Sequence, residues 1–198
     1  MNSPIDPKSL PRDWKLVLGA DIISRSIARM SYEILERNRE LDTLCIVGIR
    51  TGGEHLARRL QKRIEKIEGL VVPFGVLDIT LYRDDVSTMQ QQAVIRGTDL
   101  PFDVSGATVI LVDDVLYTGR TVRAALDAII DFGRPRSVQL AILVDRGHRE
   151  LPIRPDYIGK NLPTSKKQSV HVRLEEQGYE DGVYTSDRKG GREPGKGE

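Results

Sequence analysis

The residues best equipped for chemistry lie in one short stretch, Val109–Thr121 (VILVDDVLYTGRT). Two adjacent carboxylates, Asp113 and Asp114, follow an apolar, β-branched run, and Thr118, Gly119, Arg120 and Thr121 come just after them. In an open α/β sheet, ligands bind beyond the carboxyl ends of the strands. A turn that offers hydroxyls, backbone N–H groups and a helix start suits a phosphate monoester. Gly119 lets the backbone approach it with no Cβ in the way. Carboxylates are poor neighbours for a phosphate but good acceptors for sugar hydroxyls, so an acid pair followed by a cradle is the layout for a ribose 5-phosphate. The sequence contains neither GxxxxGK[ST] nor GxGxxG, the other common phosphate loops. Taken alone, two acids and a glycine after a strand also describe an ordinary solvated loop.

The elements that must position this loop can be read from periodicity. Residues 1–20 form a polar, proline-bearing leader, loose over its first 15 residues. From Asp21, a plausible N-cap, Ile23, Ile27, Met30 and Ile34 recur at helical spacing. Leu44–Ile49 has the length of a strand and ends at RTGG, a loop signal. A second helix carries Leu56, Leu60, Ile64 and Ile67 on one stripe, and Leu70–Tyr82 reads as extended. Residues 83–106 are polar and irregular, long enough for a functional flap or a hairpin. Thr108–Val112 reads as a buried strand, Arg120–Asp131 as a helix and Val138–Val144 as another buried strand. Strand, helix, strand in units of about thirty residues argues for a parallel sheet covered by helices. The expected organisation is a leader (1–20), one domain (21–178) and a disordered tail (179–198) dense in Gly, Lys, Arg and Glu.

Composition bounds the rest. Thirty Lys and Arg against 29 Asp and Glu leave a formal charge of +1, so any nucleic-acid surface must come from local clustering. The single cysteine, Cys45, sits in an apolar run and reads as a buried, inert thiol in a reducing compartment. No apolar run approaches the ~18 residues that span a bilayer, and the N-terminus does not read as a signal peptide. A cytoplasmic protein without membrane contact is expected. His55, His148 and His171 show no ligand spacing, and no metal is assigned to protein side chains.

Four hydrophobics, two acids, two apolar residues, Tyr, Thr-Gly and then Thr resemble the signature of the type I phosphoribosyltransferases, which bind 5-phosphoribosyl-1-pyrophosphate (PRPP). DITLYRDD (Asp78–Asp85), VDDVLYTGRTVRAALDA (Val112–Ala128), GRPRSVQLAILVDRGHRELPIRPDYIGKN (Gly133–Asn161) and PTSK (Pro163–Lys166) narrow the likeness. They look like the PyrR family, bacterial pyrimidine-operon regulators that also have uracil phosphoribosyltransferase activity. The resemblance runs from about Asp21 to Leu174. It implies an α/β protein of type I phosphoribosyltransferase fold: a mostly parallel sheet flanked by helices, with a small hood and a flexible flap.

The implied reaction is uracil plus PRPP giving UMP and pyrophosphate, with Mg²⁺ held mainly through PRPP and water. Asp113 and Asp114 would hold the ribose hydroxyls, and Val115, Leu116, Tyr117, Thr118, Gly119, Arg120 and Thr121 would surround the 5-phosphate. Thr80–Asp85 would open the flap, with Arg83 as a pyrophosphate partner. Val144, Asp145 and Arg146 would line the uracil site, where backbone groups read the base edge. One position departs from the family. The loop after the first strand usually reads Thr-Arg-Gly, whereas here Thr51 is followed by Gly52 and Gly53. A guanidinium able to grip a phosphate bidentately is missing. Gly52 still offers backbone N–H, and Arg50 is a candidate substitute. Weak but measurable turnover is the expectation.

Arg25 and Arg29 lie four apart on the first helix and share its polar face, with Arg37 leaning the same way. His148, Arg149, Arg154 and Lys160 cluster later in the chain. By spacing alone these describe an ordinary charged surface. The resemblance makes them a basic surface for a pyrimidine mRNA leader hairpin, with UMP or UTP as co-repressor. It also implies a homodimer or homotetramer and gives no role to DNA. Two alternatives stay open: a nucleotide-sensing RNA-binding regulator without turnover, and a salvage enzyme without an RNA role.

Overall fold

The computed structural model describes residues 10–82 and 97–187. The apolar, β-branched runs form five parallel strands in the order β3-β2-β4-β5-β6: β2 (Leu44–Ile49), β3 (Phe74–Leu77), β4 (Thr108–Leu116), β5 (Ser137–Asp145) and β6 (Tyr157–Asn161). Because strand side chains alternate, each central strand serves two cores. Ile46, Ile110, Val112, Ala141 and Leu143 pack with helices α1 (Ala20–Arg37) and α2 (Gly52–Glu68). Cys45, Val47, Val109, Leu111 and Ile142 pack on the other face with helix α3 (Arg120–Asp131). Burial of the Cys45 thiol raises its pKa to about 12, so it stays protonated and inert, as expected. Helix α2 ends on Gly69 in the left-handed conformation, φ 69°, an ordinary glycine stop.

A second, three-stranded antiparallel sheet, in the order β1-β8-β7, is built from β1 (Lys15–Gly19), β7 (Gln168–Arg173) and β8 (Gly182–Asp187). It corrects the expected boundaries, since residues 15–19 of the leader and 182–187 of the tail are paired strands. Their apolar residues are too few for a periodic signal; Leu18 and Val183 become buried only because the two ends of the chain pair. Arg59 on α2 fastens this sheet down by pairing with both Asp181 and Glu176.

Three local readings also change. Helix α1 starts on Gly19 without a side-chain cap, and Asp21 instead lies in the first turn, where its charge favours the helix dipole. Strand β4 runs on past Val112 to Leu116, because pairing with β5 continues through Asp113 to Leu116. The acid pair therefore stands on a strand end rather than in a loop. Thr80–Tyr82 form a 3-10 turn, while Arg83 and the rest of the expected flap up to 96 lie outside the described residues. Asp99 returns to pair with Val76 beside β3.

Candidate active site

The carboxyl ends of β2, β4 and β5 bring together residues 50–53, 113–121 and 145–153. Near the end of β4 one carboxylate is buried and its neighbour is partly exposed. Asp113 is only 6% exposed, and its Oδ1 accepts the Asp114 N–H at 2.9 Å. Asp114 Oδ1 accepts the Val115 N–H at 2.7 Å. Burial, reinforced by the neighbouring Asp114 charge, pushes the Asp113 carboxyl well above the usual range; burial also raises Asp114. Two carboxyls this close do not both ionise easily, which lowers the cost of seating a polyanion beside them.

The chain then reaches Gly119, at φ 95°, a conformation that side-chain-bearing residues rarely adopt. Gly119 precedes α3 and gives it no side-chain cap; the Arg120 N–H donates to Thr118 Oγ1 at a long 3.4 Å, and a helix start of this kind suits a phosphate. The Thr118 carbonyl accepts the Glu150 and Leu151 N–H groups at 2.9 and 3.1 Å, which fixes the turn from behind. Arg120 pairs with Glu150 at 2.9 Å.

On the β2 side, the Arg50–Thr51 peptide is cis and leads into Gly52 and Gly53. A Cβ on Gly53 would lie 2.1 Å from the Val112 carbonyl oxygen, so only glycine lets α2 start this close to β4. A Cβ on Gly52 would lie 2.2 Å from Asp114 Oδ2. Gly52 thus leaves room for the Asp114 carboxylate itself. Arg50, the candidate substitute for the missing guanidinium, faces Glu54 at 3.5 Å.

Beyond β5, Arg146 is 4% exposed and its guanidinium stacks over the Tyr117 ring at 4.1 Å. It donates to Thr164 Oγ1, to the Ser165 carbonyl and to the Gln168 carbonyl at 3.1, 3.2 and 2.7 Å. Asp145 Oδ1 accepts the Gly147 N–H at 2.9 Å. The Val144 side chain is wholly buried in the α1–α2 core, between Val115 and Lys160 in register, which leaves only its backbone to meet a base. Thr164 and Tyr117 acquire positioning roles that sequence spacing could not show, because only the folded loops bring them to Arg146.

The expected basic surface divides in two. Arg29 pairs with Glu33 and donates to the Ile158 and Gly159 carbonyls at 2.7 and 2.8 Å, covering the edge of β6. Arg37 pairs with Asp156 at 2.6 Å. His148 Nε2 donates to the Thr164 carbonyl, and Arg149 pairs with Asp145. All four make contacts within the chain, yet Arg29 and Arg37 stay exposed while His148 and Arg149 are partly buried. Arg25, Arg154 and Lys160 are exposed, Arg25 with only a 3.6 Å contact to Asp21. A groove of about 720 Å³ between α1 and β6 gathers Arg25, Arg29 and Lys160, residues from distant parts of the chain.

Among the described residues, no three His, Cys, Asp or Glu groups gather as a metal cage. Asp113 and Asp114 provide hard oxygen donors, fitting a Mg²⁺ that keeps its waters and takes few protein ligands.

The family model for the phosphoribosyl transferase domain matches residues 14–177. The bifunctional protein PyrR of Pelotomaculum thermopropionicum is 59% identical over 167 residues, covering 84% of this chain and 92% of the relative. That of Deinococcus radiodurans is 59% identical over 160 residues, covering 81% and 87%. Among solved structures, a hypoxanthine-guanine phosphoribosyltransferase from Bacillus anthracis superposes with a TM-score of 0.63 over 86% of this chain and 96% of that one. At 14% identity, that likeness shows the type I fold alone.

Proposed function

The chain belongs to the phosphoribosyltransferase domain family and, within it, to the bifunctional PyrR proteins, and from that premise we propose how its residues divide the work. The protein is a pyrimidine-responsive regulator with uracil phosphoribosyltransferase activity. The observation that carries the assignment of the site is the acid pair at the end of β4, Asp113 buried, with α3 starting six residues after Asp114 on an N-cap that offers no side chain.

Asp113 and Asp114 accept the ribose hydroxyls, and the turn from Val115 to Thr121 seats the 5-phosphate. Uracil N1 bonds to C1 of the ribose as the C1–O bond to pyrophosphate breaks, and the N1 proton is lost. The transition state resembles an oxocarbenium ion, so positioning and charge neutralisation supply most of the catalysis. Mg²⁺ bound with the pyrophosphate would neutralise its charge. Thr51 and Gly52 meet the pyrophosphate through backbone N–H, and Arg83 is retained as its side-chain partner. Asp145 and Arg146 shape the uracil pocket from the β5 side, Arg146 by holding Tyr117 and the Thr164–Gln168 segment in place.

Arg25, Arg154 and Lys160 supply the phosphate contacts for a pyrimidine leader RNA, with UMP or UTP as co-repressor. The functional unit is a homodimer or homotetramer. No helix among the described residues is long and apolar enough to cross a membrane, and the proposed location is cytoplasmic. The substrate assignment is tested by incubating the protein with PRPP, Mg²⁺ and each of uracil, cytosine, hypoxanthine and guanine. Uracil alone should yield nucleotide; a purine nucleotide as the main product would overturn it.

A further inference from the structure

Arg149 stands between the two functions rather than inside either. Its side chain is 21% exposed and uses all three nitrogens. Nη2 pairs with Asp145 Oδ2, in the base segment. Nη1 donates to the Tyr117 carbonyl at 2.8 Å, in the phosphate loop. Nε donates to the Ile153 carbonyl at 3.0 Å, and the next residue is the exposed Arg154. The neighbouring fastenings repeat the theme. The Thr118 carbonyl accepts the Glu150 and Leu151 N–H groups, and Arg120 pairs with Glu150. His148, held at φ 62° by its bond to the Thr164 carbonyl, sets its ring edge-on to Tyr117 at 6.1 Å. The 147–153 segment therefore hangs from the carbonyls of the phosphate loop, and its far end presents a cation to solvent.

We propose that Arg149 is the residue that couples nucleotide occupancy to the RNA surface, by tying the phosphate loop and the base segment to the backbone that presents Arg154. This rests on the regulator reading above. A phosphate seated at Gly119 and a base seated at Asp145 hold the two anchor points of one guanidinium in a fixed relation. Its third bond then fixes Ile153 and, with it, the direction of Arg154. An empty site leaves the anchors free to separate. Lysine carries its donors on a single nitrogen and cannot span the three acceptors that Nε, Nη1 and Nη2 meet, so an Arg-to-Lys exchange keeps the charge and removes the coupling. Linkage requires the effect to be reciprocal: RNA tightens UMP binding by the factor by which UMP tightens RNA binding.

The test is RNA affinity without UMP and at saturating UMP, saturation being set separately for each protein. The probe is a leader hairpin transcribed from the host's own pyrimidine operon. In the wild type, UMP should tighten binding by a factor in the range of about 5–150. In Arg149→Lys that ratio should fall to about 1. In Arg154→Gln both affinities should fall by the same factor, leaving the ratio intact. An Arg149→Lys protein that keeps the wild-type ratio, whatever its absolute affinity, overturns the proposal. A wild type whose RNA binding ignores UMP shows instead that the regulator reading has failed, before any variant is made. Should Arg149→Lys not fold, amide exchange on the wild type decides. UMP should slow exchange across 147–153 as well as 117–121; slowing confined to 117–121 overturns the coupling.

Discussion

At the scale of single residues, the acid pair and Gly52 dominate. Asp113 has a raised pKa, so its contribution to stability is complete in acid, below the ordinary carboxylate range. It is lost as the pH rises through the raised value. Asp113→Asn should therefore raise the melting temperature, by more at pH 8 than at pH 5. The same change puts an amide NH₂ where a carboxyl oxygen met the ribose and should lower kcat/KM by about 10–100-fold. Thermal melts across pH, run beside kinetics, check both halves. Gly52→Ala should cost about 10–100-fold in kcat/KM, because its Cβ displaces the Asp114 carboxylate. Steady-state kinetics read that loss, and circular dichroism should show an unchanged fold.

At the scale of elements, the partly buried Arg59 guanidinium ties the antiparallel sheet to α2, beside the apolar contacts of Leu18 and Val183. Burial alone would raise the Asp181 carboxyl, but the bonds from Arg59 and the Glu175 N–H outweigh it and hold it low. Its stabilisation is present above the ordinary carboxylate range and disappears as the pH falls through the depressed value. Arg59→Met should cost about 3 kcal/mol at neutral pH by leaving Asp181 buried and unpaired. Urea unfolding measures this, and the difference should shrink in strong acid. The three elements that build the site were legible in sequence: β2, β4 and α3 each announce themselves by an apolar run or a helical stripe next to glycine and threonine. Strands β1 and β8 were not, because neither has a pattern until the other pairs with it. The Asp113–Asp114 chemistry was legible too, whereas the roles of Arg146, Arg149 and Thr164 depend on contacts between loops that no spacing encodes.

For the whole molecule, a chain with a formal charge of +1 must concentrate its cations to bind RNA. The expected arginines differ in how far they already pair within the chain. Arg154→Gln should reduce the salt dependence of RNA binding by about one phosphate contact. Arg37→Gln should leave the salt slope unchanged and lower thermal stability, since Arg37 is spent on Asp156. Filter binding over a salt series, with melts of both variants, separates the two roles.

The central claim is that the end of β4 and the start of α3 form a ribose 5-phosphate site that makes UMP. The most direct measurement is a single-turnover reaction at high enzyme concentration, with radiolabelled uracil, PRPP and Mg²⁺, comparing the wild type with Asp113→Asn. The predicted result is UMP from the wild type and at least about tenfold less from the variant. No UMP from the wild type, or equal amounts from both proteins, would contradict it.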